Sequence, residues 1–152
     1  PPLVLVLDEV QDPHNLGACL RTAEGAGVGL VVITRDRSAS LTPVARRAAS
    51  GAAEVLPILE ATNLARVLRR LKERGIWLYG TDDEAPVGLW QADLDGPLGL
   101  VMGAEGSGLR RLTRELCDHL VRIPMAGCVE SLNVSVATGV ALYEIQRRRS
   151  NP

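Results

Sequence analysis

Two kinds of hydrophobic pattern alternate along the chain, and they predict alternating strands and helices. Short, continuous apolar runs are typical of strands buried on both faces. Such runs cover residues 3–7, 29–34, 76–79, 98–102 and 120–123, with residues 54–59 as a further candidate. Between the first two runs, residues 15–25 have helical periodicity, which places Leu16, Cys19, Leu20 and Ala23 on one face and Arg21 outside it.

Capping signals predict where the later helices begin and end. Thr42 followed by Pro43 is typical of an N-cap and first helical residue, which predicts a helix through Ala49. Thr62 is the predicted cap of a helix that ends before Gly75, with an apolar stripe at Leu64, Val67, Leu68 and Leu71. Residues 82–95 form an acidic connection, and residues 132–149 form the last predicted helix.

Alternation of strands with helices predicts an α/β fold with a mainly parallel sheet and helices on both faces. The chain has 152 residues and is 46% hydrophobic, which suits one domain over residues 1–152 with a substantial core. It has neither a signal-peptide pattern nor an apolar run approaching the ~20 residues of a membrane helix. We therefore expect a soluble, cytoplasmic protein.

Cysteine and histidine usage indicates no metal centre. Cys19, Cys117 and Cys128 are odd in number and lack a CxxC spacing, and the chain has only two histidines. Neither a disulfide framework nor a metal site is expected. The formal net charge of -1 is low for a protein that would bind a polyanion by itself.

Residues 102–109 (MGAEGSGL) predict a small-molecule site, because they follow an apolar strand and contain three glycines and one carboxylate, Glu105. Glycines let the backbone approach a ligand closely. A nicotinamide-binding loop is a competing interpretation. That loop has the order GxGxxG early in a βαβ unit, with an acidic residue about 20 positions later. Here the order is GxxGxG and the loop lies late in the chain, so the match is poor.

Three segments together resemble the catalytic domain of the SpoU/TrmH class of RNA ribose 2′-O-methyltransferases. They are residues 15–23 (NLGACLRTA), the glycine-rich loop at Gly103, and residues 131–135 (SLNVS), and they span almost the whole chain in the order of the family. Within the class, residues 12–17 and 123–127 most resemble the bacterial enzymes that methylate a guanosine of 23S ribosomal RNA. The alternatives are a tRNA ribose 2′-O-methyltransferase of the same class and a non-catalytic RNA-binding module that keeps the pocket.

The resemblance implies a fold, a cofactor and a set of site residues. The fold would contain a deep C-terminal trefoil knot, and the protein would be a homodimer with each active site completed by Arg21 of the partner subunit. S-adenosyl-L-methionine would be held by backbone groups of Gly103, Ile123 and Leu132. The implied catalytic residues are Asn15, Arg21, Glu105, Ser131 and Asn133. Family enzymes also carry an N-terminal RNA-binding domain, to which nothing in these 152 residues corresponds.

Elementary chemistry limits the roles of these residues. A guanidinium stays protonated, with a pKa above about 12, so Arg21 suits binding of an RNA phosphate and stabilisation of an alkoxide better than proton abstraction. Glu105 is either the base or a group that orients Arg21 or Asn15. Asn15 is either a helix N-cap or a group that positions Arg21. Ser131 and Asn133 suit both capping and contact with a phosphate.

The remaining charged residues leave two interpretations open. Basic residues of the helix after Thr62 form either an RNA-binding face or a solvated surface; these are Arg66, Arg69, Arg70, Lys72 and Arg74. Likewise, Arg110, Arg111 and Arg114 contact RNA phosphates or are surface charges. Residues 147–149 complement the dipole at the end of the last helix.

His14 is expected to make local hydrogen bonds rather than to act as a base. Val134, Val136, Val140 and Tyr143 spread widely around the last helix, which weakly supports a dimer.

Overall fold

The computed structural model describes residues 1–150, which form a parallel sheet covered by helices. The elements in chain order are β1 (Leu3–Leu7), α1 (Pro13–Gly25), β2 (Leu30–Thr34), α2 (Pro43–Ala49), α3 (Ala52–Val55), β3 (Ile58–Ala61), α4 (Leu64–Glu73), β4 (Trp77–Thr81), β5 (Leu98–Met102), α5 (Arg111–Leu116), β6 (His119–Val121) and α6 (Val134–Ser150). A 3-10 turn at Leu89–Gln91 interrupts the acidic connection between β4 and β5.

The sheet has the order β3-β2-β1-β5-β4-β6, and each neighbouring pair within residues 1–150 is parallel. Side chains of β1 alternate between two cores. Leu3, Leu5 and Leu7 pack with α1, α2 and α6 on one side, whereas Val4 and Val6 pack with α4 on the other. All five residues are almost fully buried, which explains the continuous apolar run. The α/β prediction is confirmed, with helices on both faces.

Several predicted boundaries were wrong. At the starts of two helices, a neighbouring side chain makes the capping hydrogen bond. Asp12 caps α1 by accepting hydrogen bonds from the backbone N–H groups of His14 and Asn15, so Asn15 is not the cap. Asn63, not Thr62, caps α4. The candidate strand at residues 54–59 is instead α3 followed by β3. Thr42 caps α2 as predicted.

The order in which the chain adds strands reverses at β1: β2 and β3 lie on one side of it, and β5, β4 and β6 lie on the other. Helix α1 follows β1 on one side of the sheet, and α5 follows β5 on the other. Parallel sheets bind ligands at the carboxyl ends of strands where the following helices diverge in this way. Leu7 and Met102 are register partners at these ends, so the residues after them share one edge of the sheet.

Arginines at the end of α6 tether distant segments, which goes beyond the predicted interaction with the helix dipole. The guanidinium of Arg148 donates to the backbone carbonyls of Leu89, Trp90 and Ala92. Arg149 donates to the carbonyls of Pro1, Pro2 and Gly96. These bonds hold residues 89–96 and the start of β1 against α6.

The segment after β6 crosses from one edge of the sheet to α6, which packs against α1 and β5. The trefoil knot implied by the resemblance stays a prediction. Among the helices of residues 1–150, none is both long and apolar enough to span a membrane. The same residues contain no group of three or more His, Cys, Asp or Glu side chains suited to a metal ion.

Candidate functional site

The loop after β5 is a tight turn closed by its own backbone. Ala104 and Gly108 exchange two hydrogen bonds, with N···O distances of 3.1 and 2.9 Å. Gly103 lies under this turn: a Cβ there would stand 2.2 Å from the carbonyl carbon of Gly108 and 2.4 Å from the backbone nitrogen of Leu109. Only glycine therefore fits at position 103, and the turn presents Glu105 at its exposed tip.

An ion pair between an exposed arginine and a buried aspartate fixes the far end of this loop to the end of β1. Asp8 is fully buried, and its Oδ1 accepts hydrogen bonds from Arg110 at 2.7 and 2.8 Å. The same guanidinium lies 3.5 Å from Glu9, and the carboxylate of Asp8 raises the pKa of Arg110. Removing Arg110 would leave the buried carboxylate of Asp8 without its charge partner at the base of the loop.

A cavity of about 790 Å³ opens beside the loop, over the carboxyl ends of β4, β5 and β6; we call it the glycine-loop cavity. Six of the eight predicted site residues line it: Gly103, Glu105, Ile123, Ser131, Leu132 and Asn133. The sequence separates these residues widely, and the fold brings them together around one space. The volume suits a ligand of cofactor size.

A chain of hydrogen bonds joins the loop to α1 and α6. Asn15 donates from Nδ2 to Oε1 of Glu105 at 2.6 Å, and its Oδ1 accepts from Nδ2 of Asn133 at 3.2 Å. Asn133 in turn caps α6, because its Oδ1 accepts from the backbone N–H of Ser135 at 2.9 Å. The amide of Asn15 is therefore held in one orientation from both ends.

Arg21 lies apart from this chain of hydrogen bonds. It follows Asn15 by six residues on α1, which rotates it by about 240° around the axis and moves it about 9 Å along it. Its side chain is exposed and does not line the glycine-loop cavity. Within residues 1–150, Asn15 and Glu105 hydrogen-bond to each other and not to Arg21, so of the two alternatives for an orienting Glu105 the structure has the one with Asn15.

One wall of the cavity is acidic, which the analysis of the sequence missed. Asp82, Asp83 and Glu84 follow β4, and Glu130 precedes α6; all four line the cavity. Burial raises the pKa of Asp83, and the charges of Asp82, Glu130 and Glu84 raise it further. The wall therefore favours a ligand that carries positive charge. The acidic residues 82–84, directly after β4, were the signal in the sequence that could have indicated this wall.

Three arginines after the glycine loop have acidic partners, so none of them is simply a free surface charge. Arg110 pairs with Asp8 and Glu9, Arg111 lies 3.0 Å from Glu115, and Arg114 pairs with Asp82. The backbone N–H of His14 donates to the carboxylate of Asp12, and its exposed side chain lies outside the cavity.

Comparison with known proteins identifies similar sequences over nearly the whole chain. The SpoU rRNA Methylase family matches residues 2–143. A 23S rRNA (guanosine-2′-O-)-methyltransferase RlmB from Pseudomonas syringae pv. tomato is 63% identical over 150 residues, which are 99% of this chain and 60% of that protein. The chain thus spans about three fifths of the length of the curated relatives it matches.

Solved structures have the same fold. The SpoU methyltransferase AviRb from Streptomyces viridochromogenes, in complex with the cofactor AdoMet, superposes with a TM-score of 0.93 at 30% identity, over 99% of this chain and 62% of that one. A TrmH/SpoU tRNA modifying enzyme from A. aeolicus superposes with a TM-score of 0.87 at 32% identity, over 97% of this chain and 75% of that one.

Proposed function

Because this chain belongs to the SpoU rRNA methylase family, we propose that it is the catalytic part of an S-adenosylmethionine-dependent RNA ribose 2′-O-methyltransferase. We propose a guanosine of 23S ribosomal RNA as its substrate and the bacterial cytoplasm as its location, since the RlmB relatives at about 60% identity are named for that reaction. The observation that carries the proposal is the chain of hydrogen bonds from Glu105 through Asn15 to Asn133, at the edge of the glycine-loop cavity.

The cavity has the properties that S-adenosylmethionine requires. Gly103 allows the tight turn that lines one side of the cavity, and Ile123 and Leu132 offer aliphatic surface with backbone groups for the edge of a purine. The acidic wall, which includes Asp83 and Glu130, suits the positive charges of the sulfonium and ammonium groups. A relative of the same fold was solved with this cofactor.

When bound, S-adenosylmethionine supplies a methyl group activated by a positively charged sulfur. The residues of the chain then have to align and polarise the ribose hydroxyl. We assign Asn15 to positioning at the edge of the cavity, held by Glu105 and Asn133. Oε1 of Glu105 is already engaged by the amide of Asn15, so we assign this carboxylate to orientation and the release of the proton to water.

Arg21 stabilises the developing alkoxide and the neighbouring phosphate in this proposal, and it acts on the site of the partner subunit. Two observations support a dimer. Arg21 points away from the cavity of its own chain. In addition, α6, which packs against α1, exposes half of Val136 and of Tyr143, at 51% and 49%. Paired α1 and α6 helices would cover these side chains and bring Arg21 to the second cavity.

Complementation between two impaired variants tests the shared site, at an S-adenosylmethionine concentration too low for Gly103→Ala to be occupied. Arg21→Ala lacks the alkoxide-stabilising group, and Gly103→Ala has a blocked cofactor loop. In a mixture, half of the dimers are heterodimers with one intact site, so about a quarter of the wild-type activity should return. If the mixture stays inactive while native mass spectrometry shows mixed dimers, Arg21 acts within its own chain.

Two other functions are alternatives to this one. A tRNA substrate is supported by the similarity of this chain to the A. aeolicus tRNA modifying enzyme, which has the same fold. Ribosomal RNA is preferred here because the relatives at twice that identity are named for it. A non-catalytic RNA-binding module would tolerate loss of the hydrogen bonds at Asn15, all of which are present.

Calorimetric titration tests the cofactor directly. The chain is titrated with S-adenosylmethionine, S-adenosylhomocysteine and NADH. We expect saturable binding of both S-adenosyl ligands and no heat from NADH. Gly103→Ala should bind the S-adenosyl ligands less tightly. Gly127→Ala is its control variant, because a Cβ at Gly127 meets no atom within 4 Å. Absence of binding to either S-adenosyl ligand by the folded wild-type chain would overturn the proposed function.

A further inference from the structure

The exposed face of α4 carries four arginines and a single acidic residue. Arg66, Arg69, Arg70 and Arg74 are all exposed, whereas Leu64 and Leu68 on the opposite side are buried in the core. At about 100° per residue, the four arginines fall within an arc of roughly 140°. We call this surface the α4 arginine face, and Glu73 is the one carboxylate within its arc.

Ion pairing distinguishes these arginines from six others within residues 1–150. Within residues 1–150, the guanidinium groups of Arg66, Arg69 and Arg74 have no carboxylate within 4.0 Å, and Arg70 lies 4.0 Å from Glu73. By contrast, six arginines have a carboxylate at 3.0 Å or closer: Arg46, Arg110, Arg111, Arg114, Arg147 and Arg148. Within residues 1–150, Arg21, Arg35, Arg37 and Arg47 also lack a carboxylate within 4.0 Å, and Arg122 and Arg149 donate to backbone carbonyls.

The α4 arginine face makes one contact with a carboxylate, between Arg70 and Glu73, and otherwise has a cost in stability. Arginines four positions apart on a helix repel each other, as at Arg66 and Arg70 and again at Arg70 and Arg74. A helix surface that only has to stay hydrated is served equally well by mixed charges. The excess of four arginines over one carboxylate is therefore unexplained by the fold and indicates a polyanionic partner.

The position of α4 connects this face with the glycine loop. Helix α4 packs against α5, and α5 begins directly after the loop. Both helices start at the carboxyl edge of the sheet, where a second cavity, of about 340 Å³, lies between them and is lined by Asn63 and Arg110. Arg66 is in the first turn of α4 and thus nearest to this edge.

We propose that the α4 arginine face binds the phosphate backbone of RNA that flanks the methylated nucleotide. The proposal rests on the proposed function, since it assumes an RNA substrate at the glycine-loop cavity. Phosphate contacts fix the position of a protein on RNA without selecting a sequence. The face would therefore contribute to RNA affinity and to its salt dependence, and not to cofactor binding or to the methyl-transfer step.

The test compares two double variants with the same loss of charge. Arg66→Gln/Arg69→Gln removes two unpaired arginines of the face. Arg46→Gln/Arg147→Gln removes two exposed arginines that have ion-pair partners elsewhere. Affinity for a single-stranded fragment of 23S rRNA is measured by fluorescence anisotropy over a series of KCl concentrations. Thermal melting checks that each variant is folded, and calorimetry with S-adenosylmethionine checks that its cavity still binds the cofactor.

We expect the slope of log K against log[KCl] to decrease in magnitude by about 1.4 for Arg66→Gln/Arg69→Gln, at about 0.7 per lost contact with a single strand. The control should keep the wild-type slope, and Arg66→Lys/Arg69→Lys should keep most of it. Equal changes in both double variants would overturn the proposal in favour of bulk charge, and an unchanged slope in both would overturn it outright. Failure of the proposed function would instead appear as absent S-adenosylmethionine binding by the wild type, whatever the slopes.

Discussion

The amide of Asn15 donates a 2.6 Å hydrogen bond to the carboxylate of Glu105, a residue 90 positions later in the chain. Through Asn133, the same amide is also linked to the cap of the last helix. Three segments that the resemblance singled out as separate motifs are therefore one hydrogen-bonded unit. The unit depends on the amides of Asn15 and Asn133, because an amide can donate from its nitrogen and accept at its oxygen at the same time.

Glu105→Gln distinguishes an orienting carboxylate from a catalytic base. A glutamine keeps an oxygen that can accept the hydrogen bond from Asn15, but it cannot take up a proton at neutral pH. We expect Glu105→Gln to retain methyl transfer within about tenfold of wild type, and Glu105→Ala to lose about 100-fold through misplacement of Asn15. Single-turnover rates with saturating RNA measure both. Equal, near-complete loss in the two variants would assign the proton to Glu105.

Asn133→Asp separates the structural role of Asn133 from its role in the site. Aspartate caps a helix as well as asparagine does, so the free energy of unfolding should stay within about 0.5 kcal/mol of wild type. The variant loses the Nδ2 donor to Asn15, however, and methyl transfer should fall at least about tenfold. Urea denaturation and turnover are compared with Asn133→Ala, which should also lose about 1 kcal/mol of stability with the cap. Full activity of Asn133→Asp would mean that the bond to Asn15 is dispensable.

Gly103→Ala should block the glycine loop. The added Cβ would lie 2.2 to 2.4 Å from backbone atoms of Gly108 and Leu109, which cannot move as a flexible side chain can. Overpacking of this kind costs about 1–3 kcal/mol, and we expect the dissociation constant for S-adenosylmethionine to rise at least about tenfold. Gly127→Ala, where the new methyl group meets open space, should bind within about twofold of wild type. Wild-type affinity of Gly103→Ala would remove this loop from the cofactor site.

The buried Cys19 and the partly buried Cys117 should make the fold sensitive to alkaline pH. Burial is the main reason that the pKa of Cys19 is raised to about 11 and that of Cys117 to about 12, from an ordinary value of 9.0. Below pH 9 both thiols are protonated whether the chain is folded or not, so their contribution is constant. Above pH 9 the unfolded chain releases these protons first, and stability falls by up to about 1.4 kcal/mol per pH unit and per thiol until the folded thiols titrate.

Urea denaturation between pH 8 and pH 10.5 measures this effect. The double variant Cys19→Ala/Cys117→Ala has lost packing and will be less stable at every pH, so the slope with pH is compared and not the absolute value. We expect a shallower decline for the variant than for wild type. Parallel declines would show that other groups cause the alkaline sensitivity.

Much of the fold was predictable because its signals are local. The buried strands, the apolar face of α1 and the cap at Thr42 each depend on residues within a few positions of one another. The glycine loop was equally visible, since only a backbone without Cβ fits at Gly103. Boundaries failed where two adjacent residues competed for one role, as with Thr62 and Asn63.

Contacts between distant residues were not predictable from local patterns. Arg110 pairs with Asp8 across 102 positions, and Lys72 donates to the carbonyl of Leu116 across 44. Likewise, the acidic wall of the cavity joins Asp83, which follows β4, with Glu130, which precedes α6. The direction in which Arg21 points follows from helical rotation, but its consequence became clear only when the cavity was located.

The central claim is that this chain transfers a methyl group to a ribose 2′-hydroxyl of ribosomal RNA. It is tested most directly by incubating the protein with unmodified 23S rRNA and isotope-labelled S-adenosylmethionine, followed by nuclease digestion and mass spectrometry of the nucleosides. The account predicts label in 2′-O-methylguanosine and a loss of about 100- to 1000-fold in Arg21→Ala, which lacks one transition-state donor. Label on a base, or an Arg21→Ala rate equal to wild type, would contradict it.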